Sequence, residues 1–382
     1  MAEQQAPTLA EGMASASHVE FARLAETVPT PALLYRADEV IEMVARLRDD
    51  LAVVPGAEIS FAIKANRFPP LLRLLASHGV GADVASMPEL GAAAAARFST
   101  IYATGPSFSG ADLVDAADRG VLVDIDSVSQ LKSFVAARGI GREIGLRIRT
   151  PISPADRDND GSRWSRFGVD PADPELHSIL RSAHVRVTRL HAHTGELVTA
   201  GRVDSLVGAL LSCADVFDDV ELVNIGGGLT LLYAHAVDVR QAWINAGSRL
   251  ADYARSRGRN LRLVVEPGML LTALAGYLIV SVTGTQHLPD GRRIVTVDAS
   301  GWSLLSWSSP RIRFALPQRA GEMTAHDVAG ESCYENDYLV RDARIAAPCV
   351  GDRLVLTATG AYVASMARGM HGIGAPGEWL VE

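Results

Sequence analysis

The chain has 382 residues, 48% of them hydrophobic and 21% charged, with a formal net charge of −8 at pH 7. That is enough apolar material for one large or two medium domains, which excludes a disordered or fibrous chain. The negative balance argues against an electrostatic nucleic-acid binder. Residues 1–18, beginning MAEQQAPTLAEGM, read as a flexible leader, acidic where a secretory signal would be basic, and so point to a cytoplasmic protein. From about residue 36 to 270, short apolar strings alternate with segments apolar at i, i+3 and i+4. Strands are predicted at 59–63, 82–85, 101–104, 122–125, 144–148, 185–191, 221–225 and 261–265. Eight strands alternating with helices predict an α/β fold, a (β/α)8 TIM-like barrel. A doubly wound open sheet competes, but the spacing is steady and shows no break.

The segment 150–168, rich in Pro, Asp, Arg and Ser, follows the fifth strand and reads as an active-site flap. The longest apolar run, 269–282, is broken by Thr272, Gly276, Tyr277 and Ser281. A membrane span needs roughly 20 apolar residues, so this run reads as core and no membrane partner is expected. Beyond residue 270, YLIVSVTGT, RRIVTVDAS, YLVRDARIA and GDRLVLTATGAY are short, Val- and Thr-rich and separated by turn residues. They predict a C-terminal antiparallel β domain over 271–382, completed by residues 19–35. Cys213, Cys333 and Cys349 are too few and too scattered for a disulfide framework or a metal site.

Four features fall at predicted strand ends. Lys64, in FAIKAN, closes the first barrel strand; it is either a rim lysine paired with a carboxylate or a desolvated amine able to form a Schiff base. His193, in HAHTG, ends the sixth strand, and His191 lies deeper and is assigned to packing. Gly226, Gly227 and Gly228, in NIGGGL, follow the seventh strand as a tight turn or as an anion-binding nest. Glu266, in VVEPG, follows three apolar residues and needs a partner once buried, either a salt bridge or a ring nitrogen. A Schiff-base lysine, a flat stacking ring, a phosphate nest and a ring-nitrogen carboxylate together describe a pyridoxal 5′-phosphate site.

These motifs, with DVASMPEL, VDIDS, SRFGV, SCYEND and GAYVASM in order, resemble the fold-type III pyridoxal-phosphate enzymes. The likeness is to the ornithine/diaminopimelate/arginine decarboxylase family, on an alanine racemase-like barrel, and it covers about residues 28–373. The resemblance implies that Lys64 carries the cofactor, His193 stacks on its ring, Gly226–Gly228 bind its phosphate and Glu266 pairs with its ring nitrogen. It further implies that Asp83 and Arg147 line the pocket and Tyr362 reaches the phosphate. Cys333 would donate a proton from a partner subunit and Asp337 would sit at the interface of a homodimer with shared active sites.

Three departures stand out. Glu196 replaces a serine and Met269 an arginine at the phosphate side, so Glu196 is expected to point away or to meet an arginine. Tyr334 stands where the family reads a distal substrate amine, with Glu335 one position off. The usual distal Arg and Tyr are absent near Arg311 and Arg313. These departures lead to the expectation of a lyase acting on an unusual amino acid or amino-acid conjugate in specialised biosynthesis, siderophores or secondary metabolites. Diaminopimelate decarboxylase, an amino-acid racemase and a non-catalytic cofactor-binding homologue are the alternatives.

Overall fold

The computed structural model describes residues 16–150, 165–235 and 239–382; the leader up to Ser15 and most of the expected 150–168 flap lie outside the described residues. The chain divides into two compact units, Ile41–Leu271 and a second unit formed by Met1–Val40 with Thr272–Glu382.

The first unit is a closed barrel of eight parallel strands. After β1 (Ala32–Arg36), which belongs to the second unit, they are β2 (Glu58–Ala62), β3 (Gly81–Val84), β4 (Ile101–Thr104), β5 (Leu122–Ile125), β6 (Glu143–Arg147), β7 (Arg186–His191), β8 (Leu222–Asn224) and β9 (Arg262–Val265). Pairing of β2 with β9, Ile59 opposite Val265, closes the ring. Three of the intervening helices start where a serine can satisfy free N–H groups. Ser86 accepts from the Glu89 N–H, Ser127 from Gln130, and Ser109 forms a reciprocal capping box with Asp112.

The barrel interior is not wholly apolar. Buried Arg189 on β7 donates from Nε to Asp124 on β5 at 3.2 Å and from Nη2 to the Val123 carbonyl at 2.7 Å. Gly145 on β6 makes room, because a Cβ there would lie 1.8 Å from Asp124 Oδ1. An ion pair this deep survives only with its hydrogen bonds filled, and Thr104 Oγ1 supplies a further one to Asp124 at 3.2 Å.

The second unit is an eight-stranded sheet built from β1 and from β10 (Gly276–His287), β11 (Arg293–Val297), β12 (Ile312–Leu316), β13 (Met323–Ala329), β14 (Tyr338–Ala346), β15 (Arg353–Leu356) and β16 (Gly377–Val381). Most pairs are antiparallel, but β1–β16 and β11–β13 run parallel. The apolar run 269–282 is not one element. It divides into a short helix, Met269–Thr272, and the start of β10.

Candidate active site

The site is built on the barrel's C-terminal rim, where loops after parallel strands converge. Lys64 lies two residues beyond β2, in a 3₁₀ segment Ile63–Ala65, and not on the strand itself. Its side chain is half exposed, and Nζ stands 3.7 Å from Oδ2 of buried Asp83 on β3. Burial and the charge of Glu266 push the Asp83 carboxyl up, against the pull of Lys64. Its second oxygen, Oδ1, is buried with no hydrogen-bond partner.

Glu266 is buried immediately after β9. Burial alone would push its carboxyl up, but His191, Lys64 and Asn224 overturn that and hold it well below the usual range. Asn224, the last residue of β8, donates Nδ2–H to Oε1 at 2.6 Å. Its Oδ1 accepts the Gly226 N–H at 2.9 Å, so one amide ties the carboxylate to the glycine bend. His191 is not a mere packing residue: Nε2 is 3.4 Å from Glu266 Oε2, although the alignment falls short of a hydrogen bond. His191 is therefore a polar neighbour of the Glu266 carboxylate and not simply a filler of the barrel interior.

His193 lies two residues past β7. Its Nδ1 accepts the Gly227 N–H at 3.2 Å, which places the ring proton on Nε2. Burial first, then the charges of Lys64 and Arg147, push its pKa down to about 3. The ring is therefore neutral, flat and pinned by its edge. Two N–H groups of the glycine bend are thus already engaged, by Asn224 and His193, and Gly228 is the one left for an anion. Among the described residues Glu196 meets no arginine: its Oε2 accepts the Leu231 N–H at 3.0 Å, in the short helix after the bend. Met269 opens the short helix after Glu266. Arg147, at the end of β6, reaches Asp126 at 3.5 Å and lies 4.3 Å from the Phe167 ring centre.

The remaining predicted residues lie in the second unit. Tyr362 sits in the left-handed region (φ 57°), its ring 5.1 Å from that of Trp307. Cys333, Tyr334 and Glu335 are exposed on the loop between β13 and β14, with the Tyr334 ring 4.7 Å from Trp302. Asp337 is buried within its own chain, where its carboxylate accepts the N–H groups of Trp302 and Ser332 at 2.9 and 3.1 Å. Arg311 lines a cavity of about 700 Å³ with Trp302, Asn336, Arg341 and Arg368; none of its lining residues is acidic.

Sequence reasoning missed Asn224, Asp126 and the role of His191. The available signal was a polar side chain inside or directly after a short buried strand, which must find a partner.

The barrel-rim residues fit a pyridoxal-phosphate group on chemical grounds. A primary amine, a buried ionised acid and a neutral ring are grouped there beside two buried oxygens, Asp83 Oδ1 and Thr194 Oγ1, that have no hydrogen-bond partner. The fold and site thus define a pyridoxal-phosphate-dependent lyase of the barrel-plus-β-domain type. A family model described as "Pyridoxal-dependent decarboxylase, pyridoxal binding domain" matches residues 38–273, and the chain belongs to that family.

Among curated relatives, the chain is 30% identical over 374 residues to a probable chloroplastic diaminopimelate decarboxylase of Oryza sativa subsp. japonica, covering 92% of this chain and 75% of that protein. It is 26% identical over 366 residues to the diaminopimelate decarboxylase of Aquifex aeolicus, covering 90% and 84%. Among solved structures, a variant Helicobacter pylori diaminopimelate decarboxylase complexed with L-lysine superposes with a TM-score of 0.80 at 23% identity, over 95% of this chain and 94% of that one. A Vibrio vulnificus lysine/ornithine decarboxylase complexed with putrescine gives 0.77 at 18% identity, over 96% and 99%. No helix among the described residues is long and apolar enough to cross a membrane.

Proposed function

We propose that this pyridoxal-phosphate-dependent decarboxylase removes the α-carboxylate of diaminopimelate. The observation that carries the decarboxylase chemistry is Glu266, a buried carboxylate kept ionised by three neighbours. Held there, it keeps a proton on the nitrogen of a heterocycle bound against it. The cofactor, when bound, supplies the electron sink for the pair of electrons left when CO2 departs. Lys64 would be the amine that anchors it. His193 would offer it a neutral ring to pack against. Gly228 and Tyr362 are assigned to the phosphate, Asp83 and Arg147 to the pocket wall, and Cys333 from a second copy to proton return at Cα. A homodimer with shared sites follows from that assignment.

On substrate, the relatives speak against the expectation of specialised metabolism. Those named above carry diaminopimelate or lysine/ornithine in their names, and nothing in them supports a siderophore or secondary-metabolite role. The cavity lined by Arg311, Arg341 and Arg368 supports a substrate with a second carboxylate over a simple diamine acid. A second reading survives on one observation. Tyr334, exposed and packed against Trp302, offers no charge to a distal amine, which favours a dicarboxylate lacking one.

The test is CO2 release, followed by mass spectrometry, from holoenzyme given meso-diaminopimelate, lysine, ornithine and glutamate. Diaminopimelate should be turned over at ordinary efficiency, kcat/KM of about 10⁴ M⁻¹s⁻¹ or more, and Lys64→Ala should be silent. Turnover of glutamate in preference to diaminopimelate would favour the second reading, and no CO2 from any of them would reject both.

A further inference from the structure

Within the second unit, Cys333 and His371 form a thiol–imidazole pair. Cys333 Sγ and His371 Nε2 stand 3.2 Å apart although the residues are 38 positions apart in the chain. Each comes from a segment fastened to the same short turn, Gly301–Leu304. The Cys333 loop is held by the Asp337 carboxylate, which accepts the Trp302 and Ser332 N–H groups, and by Tyr334 packing on Trp302. The His371 segment is held by the Arg368 N–H, which donates to the Ser303 carbonyl at 3.0 Å, and by the Arg368 guanidinium 5.1 Å from the Trp302 ring centre. The approach of sulfur to nitrogen is therefore fixed from both sides.

The backbone points the same way. His371 lies at φ 58°, ψ 12°, in the left-handed region, where a residue with a Cβ crowds its own carbonyl oxygen. Such a conformation persists where the surroundings impose it and is enriched at functional positions. Both side chains are exposed, so the pair can exchange protons with water.

A thiol is a donor and a neutral imidazole nitrogen an acceptor, and an adjacent imidazole is a standard way of tuning a cysteine's reactivity. We infer that His371 is a positioning residue that holds the Cys333 proton and replaces it after each donation. The balance closes. The thiol S–H bond breaks and its proton joins the carbon that has lost CO2, leaving a thiolate. His371, neutral beside the thiol, then takes a proton from water and passes it to sulfur, so one solvent proton is consumed per CO2 released. This inference rests on the assignment of Cys333 as proton donor, and its test separates the two.

Holoenzyme is treated with iodoacetamide at pH 7 and the alkylation of Cys333 and of exposed Cys349 is followed peptide by peptide. His371→Asn keeps a residue tolerant of positive φ and removes the base; His371→Gly removes both base and strain. Both variants should slow Cys333 alkylation about tenfold, with Cys349 unchanged. They should also lower kcat with KM unaltered, and Cys333→Ala combined with His371→Asn should be no slower than Cys333→Ala alone. Equal alkylation rates in wild type and both variants would overturn the inference. If the rates fall but Cys333→Ala retains full kcat, the donor assignment is wrong and the pair is a reactive thiol outside the chemistry.

Discussion

At the residue level, the neutral state of His193 has a consequence for stability. Its imidazole titrates near 6.5 in an unfolded chain but near 3 in the folded one. Between those values the unfolded chain binds the extra proton, so the folded state loses ground as pH falls below about 6.5. Integrated from pH 7 to pH 5, that loss is about 2 kcal/mol. His193→Phe keeps a flat ring and removes the titration. Urea unfolding of cofactor-free protein at the two pH values should show the wild type losing about 2 kcal/mol more than the variant; equal losses would mean the ring is solvated. Lys64, His193 and Glu266 were legible in the sequence because each is a polar group placed directly beyond a short apolar strand. Asn224 and His191 were not, because what distinguishes them is a partner on another strand, brought near only when the barrel closes.

At the level of elements, the bend after β8 joins two loops backbone to backbone. Gly228 has φ 78°, and a Cβ there would lie 2.0 Å from the Gly195 carbonyl oxygen and 3.0 Å from Glu196 Cα. Neither atom belongs to a flexible side chain, so the clash can be relieved only by moving the loop that carries His193. Gly228→Ala should therefore cost about 2–4 kcal/mol of stability and weaken pyridoxal-phosphate binding at least about tenfold by absorbance titration. Gly91→Ala is the matched control. Gly91 lies inside the helix Met87–Ala96 with nothing within 4 Å of a new Cβ, and should gain up to about 1 kcal/mol. A Gly228→Ala protein as stable as wild type would show the bend to be looser than its geometry. Strand bounds were legible to within a residue or two. The predicted 101–104 and 122–125 coincide with β4 and β5, while 82–85 slipped by one against Gly81–Val84. Local pattern marks where a strand begins, but its last residue is set by the ladder with neighbours. The parallel pairings β1–β16 and β11–β13 had no local signal at all, and neither did the Arg189–Asp124 pair inside the barrel.

At the level of the whole molecule, the two units differ in how the chain supplies them. The barrel is drawn from one continuous stretch, whereas the β unit needs both ends of the chain. β1 lies between β10 and β16, with Ala32 opposite Ile279 on one side and Gly377 on the other. Val381 and Trp379 join a core cluster that includes Phe21, Leu34, Tyr277 and Ile279, and the Tyr35 hydroxyl donates to Glu378 at 2.6 Å. Ending the chain at Pro376 removes all of this and leaves a buried strand with one unpaired edge. Burial of one large apolar side chain is worth about 1.5–3 kcal/mol, and each orphaned buried backbone group costs about 1–3 kcal/mol. The truncated protein should thus lose at least about 4 kcal/mol, read as a clear fall in thermal midpoint by circular dichroism. Trp379→Ala alone, which keeps the strand's backbone pairing, should lose less than the truncation. If truncation and point substitution were equally damaging, side-chain packing and not strand closure would be what the last six residues contribute; an unchanged midpoint in both would remove the C-terminal strand from the folding of the β unit altogether.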